Sequence, residues 1–115
     1  MTNALAESWA PTEPDVMEIT GRLDSGSAAR VEEDVLLCIQ SGARRMVLDC
    51  RDLSYISGAG LRAVLAMARA MQKAGGHFGV CELQSQVDAM FEASGFDRII
   101  PVFGDQREAI AAFAG

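Results

Sequence analysis

Between residues 45 and 71 the chain changes its hydrophobic period, and that change constrains the fold more than any other feature. Met46, Val47 and Leu48 are apolar in succession, as in a strand buried on both faces. Further on, Leu61, Val64, Leu65, Ala68 and Met71 recur at three and four residues, the spacing of a helix with one packed side. Arg62, Arg69 and Lys73 fall on its other faces, and Gly75-Gly76 ends it. A short polar turn separates the two patterns, and the helix starts on Ser57-Gly58-Ala59-Gly60.

The same alternation runs along most of the chain. Residues 16–20 predict a strand stopped by Gly21, and residues 30–41 predict a helix carrying Val31, Val35, Cys38 and Ile39, ended by Gly42. Leu23-Asp24-Ser25-Gly26-Ser27, between them, reads as a turn. Residues 77–81 predict a further strand. Ser85 is expected to cap a short helix that bears Val87, Met90 and Phe91 and closes at Gly95. Residues 99–103 are apolar, but Pro101 confines them to an edge or short strand. Asp105 and Glu108 have capping-box spacing before a last helix with Ile110 and Phe113. Strands alternating with helices predict an α/β architecture on a largely parallel sheet. Residues 1–14, with Pro11 and Pro14, predict either a frayed tail or an edge strand near residues 5–9, leaving 15–115 as the domain.

Composition narrows the function. A chain of 115 residues makes one domain, able to bury roughly two-thirds of its unfolded surface. Its net charge of −6 opposes binding to nucleic acid or to an anionic membrane, both of which call for clustered Lys and Arg. No apolar run is long enough to span a bilayer and the N-terminus lacks signal-peptide pattern, so a cytoplasmic protein is expected. Cys38, Cys50 and Cys81 lack metal-site spacing and sit far from the lone His77, which predicts buried packing thiols and no metal or cofactor. A nucleophilic Cys50 or Cys81 would need a general base that neither has nearby in sequence. Asp24 and Asp52 read as turn residues that cap backbone donors rather than as a paired acid and base. Gly58 and Gly60 lack the Lys-Ser/Thr of a nucleotide loop.

From Asp52 to Leu65 the chain resembles the signature of the STAS family, small domains of anti-sigma-factor antagonists and sulfate transporters. Gly21-Arg22-Leu23-Asp24 is similar to that family's Gly-x-Leu-Asp turn before the first helix. The resemblance covers residues 16–113 in element order. It implies a single-domain STAS-like α/β fold, a mixed, largely parallel sheet of four to five strands with helices packed against it. It also implies a non-enzymatic regulator working by partner switching. Such an antagonist binds an anti-sigma factor that is a histidine-kinase-like serine kinase and frees its client; phosphorylation blocks docking and a serine phosphatase reverses it. The partner contacts implied are Asp24, Tyr55, Ser57, Gly58, Ala59, Gly60 and Arg62. An alternative role on the same fold is an accessory or scaffold subunit of an ABC lipid transporter or stress-sensing complex.

One departure bears on the switch. In the family the modified hydroxyl directly follows the position matched by Ser57, and here that residue is Gly58, which has nothing to modify. Ser57 therefore has two readings, a helix N-cap or a phosphorylation site displaced by one residue. A constitutively unphosphorylated antagonist, regulation without phosphorylation and modification at another residue all stay open.

Overall fold

The computed structural model describes residues 14–114, and the expected edge strand near residues 5–9 lies outside them. Among the described residues six strands and four α-helices follow one another: β1 (Asp15–Glu18), β2 (Gly21–Leu23), α1 (Ala28–Gln40), β3 (Arg45–Asp49), β4 (Leu53–Ile56), α2 (Gly58–Lys73), β5 (His77–Cys81), α3 (Ser85–Ser94), β6 (Val102–Phe103) and α4 (Gln106–Phe113). β1, β3, β5 and β6 form one sheet in that order, and β2 and β4 form a second, two-stranded one. Every pairing among the described residues is parallel.

β3 is central because it is apolar on both faces. Met46, Val47 and Leu48 are each fully buried, and the alternation of a strand sends them to opposite sides. Met46 and Leu48 join the larger core with Val35 of α1, Val64, Met67 and Met71 of α2, and Val87 and Phe91 of α3. Val47 joins a smaller core with Cys81 and Ala109, closed by Phe103 and Phe113. Three of the described helices thus pack on one face and α4 on the other, which covers both faces of these parallel strands.

Two segments expected as turns are strands. Gly21–Leu23 and Leu53–Ile56 pair with each other, with Arg22 opposite Tyr55 and Leu23 opposite Ile56. They are too short for a period of two to stand out, and only Leu23, Leu53 and Ile56 turn inward. Residues 99–103 also depart from expectation. A 3₁₀ turn at Phe96–Arg98 draws the Ile100 N–H onto the Phe96 carbonyl at 2.8 Å, so only Val102 and Phe103 remain extended. Ser85 is the first residue inside α3 and not its cap; Gln84 holds the cap position without a side-chain bond to the helix. The Asp105 cap is as expected: its Oδ1 accepts the Glu108 N–H at 2.8 Å, while Glu108 Oε1 accepts the Gly104 N–H at 2.7 Å.

Candidate partner-docking surface

β2 and β4 run past the end of the larger sheet and each feeds a turn that opens a helix. Their pairing brings the turns side by side. Leu23 O accepts the Ser57 N–H at 3.0 Å, with Ser57 Oγ 3.5 Å from the same oxygen. That hydroxyl oxygen in turn accepts the Gly60 N–H at 3.1 Å, which makes Ser57 the N-cap of α2. A phosphoryl group on Ser57 would replace the only hydrogen the hydroxyl has to offer Leu23 O and set two acceptors against each other.

The expected contact residues divide by depth. Tyr55 is 41% exposed, Gly58 and Arg62 are exposed, and Asp24, Ser57 and Ala59 are half-buried. Gly60 lies beneath them, packed against β2. It is buried, and a Cβ there would run into the Leu23 carbonyl oxygen and come within 2.8 Å of Ile56 Cγ1. Glycine is what lets α2 approach β2 so closely. Gly58 is the opposite case. A Cβ on it would meet only Arg62 Nη1, at an ordinary 3.5 Å, so the missing hydroxyl is a choice of residue and not a demand of packing.

Two groups shape this surface electrostatically. The Arg22 guanidinium lies 4.2 Å from the centre of the Tyr55 ring, and its Nε is 3.4 Å from Asp24 Oδ2. Asp24 Oδ1 accepts the Gly26 N–H at 2.9 Å, and this bond, joined by Arg22, holds the carboxyl below its ordinary value against some desolvation. Arg22 was not among the residues singled out by sequence. It enters through the Arg22–Tyr55 pairing, which no pattern in strands of three and four residues reveals. Asp52 is exposed, and its carbonyl accepts the Gly21 N–H at 2.8 Å.

The thiols are placed for packing. Cys50 and Cys81 are buried, in different cores. Burial pushes each up to about 12, helped at Cys50 by Cys81 and Asp49 and at Cys81 by Asp49 and Glu82. That is the opposite of the depressed value an attacking thiolate needs. His77 stacks on Phe113 with ring centroids 5.7 Å apart. No group of metal-ligating side chains is found among the described residues, and no described helix is long and apolar enough to cross a membrane.

The STAS domain model matches residues 10–109. A protein of Bordetella bronchiseptica that carries the name anti-sigma factor antagonist BtrV is 40% identical over 95 residues, 83% of this chain and 82% of its own. In the crystal structure of an anti-sigma factor antagonist from Thermotoga maritima, the backbone agrees at a TM-score of 0.81 with 17% identity, over 85% of each chain. SpoIIAA, a Bacillus cell fate determinant, agrees in its unphosphorylated form at a TM-score of 0.75 with 21% identity, over 90% of each chain. The two structural likenesses speak for the fold alone; the sequence match to BtrV reaches further.

Proposed function

The chain belongs to the STAS domain family, and from that premise we propose that it is an anti-sigma-factor antagonist whose β2–α1 and β4–α2 turns dock on the partner. The observation that carries the reading is the 40% identity to an antagonist over most of both chains, joined to an exposed surface at the family's signature turn. The scaffold role draws no comparable support. Docking needs no catalysis, in keeping with thiols that stay protonated.

The partner in this reading is an anti-sigma factor with serine-kinase activity. Tyr55, with the Arg22 guanidinium over its ring, is the aromatic anchor, and Asp24 sets the orientation of Arg22. Gly58 leaves the kinase nothing to modify at the usual position, and Ser57 Oγ is tied into the helix cap. The antagonist is therefore permanently competent to dock and titrates its partner by concentration alone, with no phosphatase to reset it. Calorimetric titration of the anti-sigma factor with the full chain tests the reading. A dissociation constant of about 10 μM or tighter is expected. No heat or mass shift at tenfold higher concentration overturns it.

A further inference from the structure

The link from β5 to α3, residues 82–84, and the first turn of α3 carry side chains that no motif read from the sequence explains. The link contains Glu82, the one non-glycine residue at positive φ (60°) among those described. That conformation is unfavourable for a residue with a Cβ and costs glycine nothing, so the carboxylate is the feature that needs explaining. Its Oε2 accepts from Arg51 Nη2 and from the Gln106 N–H, both at 3.3 Å. Gln84 Nε2 donates to the Arg51 carbonyl at 2.7 Å. Gln86 Nε2 donates to the Ser54 carbonyl at 2.9 Å and to Gln84 Oε1 at 3.0 Å. Beneath them the buried Asp49 accepts the Arg51 N–H at 3.0 Å and Gln106 Nε2 at 2.9 Å.

These bonds converge on residues 51–54, which lead into Tyr55 and Ser57. Among the described residues β4 has a strand partner, β2, on one edge only. Its Ser54 carbonyl is met instead by Gln86, and the corner before it by Gln84, Glu82 and Asp49. We propose that Glu82, Gln84 and Gln86 are positioning residues that clamp β4 from its strandless side and so hold Tyr55 and Ser57 in docking geometry. The consequence for affinity rests on the docking reading above; the consequence for the free chain does not.

Three variants of the full chain test the clamp: Gln86→Met, which keeps length but loses the donor, Gln86→Lys, which keeps a donor, and Glu82→Gly, which relaxes the backbone and removes the carboxylate. Amide hydrogen exchange by NMR reads the free chain, and titration with the anti-sigma factor reads docking. The Met and Gly variants are expected to exchange about tenfold faster across residues 53–57 than wild type, with β3 unchanged. Their affinity falls roughly three- to tenfold, while the melting temperature stays within about 2 °C. The Lys variant retains wild-type behaviour. Unchanged exchange at 53–57 in both the Met and Gly variants, or a Lys variant as loose as the Met one, overturns the clamp. Faster exchange in a chain whose wild type binds no anti-sigma factor upholds the clamp and overturns the partner reading.

Discussion

The two ends of the same chain segments differ sharply. β1 and β3 run on into β2 and β4, yet among the described residues the first pair lies in a four-stranded sheet while the second makes a two-stranded ribbon. β3 is apolar on both faces and its middle residues are inaccessible to solvent. In β4 Leu53 and Ile56 point inward and Ser54 and Tyr55 outward, and side chains satisfy the edge that lacks a strand. Two strands alone do not hold themselves together in water. The ribbon persists because Leu23, Leu53 and Ile56 reach into the shared core, and because Gln86 of α3 meets the Ser54 carbonyl while Gln84 holds the Arg51 carbonyl just before β4. The sheet secures the fold; the ribbon presents a surface.

Substitutions separate the two regions by what they change. Leu48→Ala, in the centre of β3, leaves a cavity and lowers unfolding free energy by about 2–5 kcal/mol in a urea melt. A loss under about 1 kcal/mol would mean that the sheet centre is not the stabilising region. Raising pH probes the same interior. Above 9.0, the ordinary thiol value, unfolded Cys50 and Cys81 lose their protons, while the folded thiols hold theirs up to about 12. The native state then binds more protons, so stability falls as pH rises through that window. Melts at pH 8 and pH 10.5 should show this fall, and replacing both cysteines by Ala should flatten it.

At the ribbon the effects on stability shrink and those on binding grow. Ser57→Ala removes the α2 cap and costs about 1 kcal/mol. Tyr55→Ala costs less than about 1 kcal/mol of stability, since the ring is partly exposed and its visible partner is the Arg22 cation. It weakens docking by roughly tenfold or more. A Tyr55→Ala chain that melts early and binds normally would reverse the roles assigned to the two regions.

The sheet is legible in the sequence because its signals are long or emphatic. The apolar triplet 46–48 and the helical spacing after Gly60 can each be satisfied in few ways. The ribbon is hidden because β2 and β4, of three and four residues, turn only three side chains inward. With that pairing unseen, Arg22 could not be placed on Tyr55. The clamp is hidden for another reason: glutamines that bond to carbonyls across separations of 32 and 33 residues leave no local pattern. The signature turn itself is readable, although its glycines prove unlike. Gly60 is demanded by the Leu23 carbonyl, whereas Gly58 has room for a side chain.

That room makes the switch itself open to experiment. Wild type and Gly58→Ser are each incubated with the anti-sigma factor, the proposed kinase, and ATP-Mg²⁺, then followed by intact-mass spectrometry and by complex formation on a sizing column. The wild-type chain is expected to remain unmodified and to stay in the complex. The Gly58→Ser chain is expected to gain one phosphate on its introduced hydroxyl and to leave, because about −1.5 to −2 charges beside the docking residues must be desolvated. A wild-type chain phosphorylated on Ser57 and released from its partner would contradict a permanently competent antagonist.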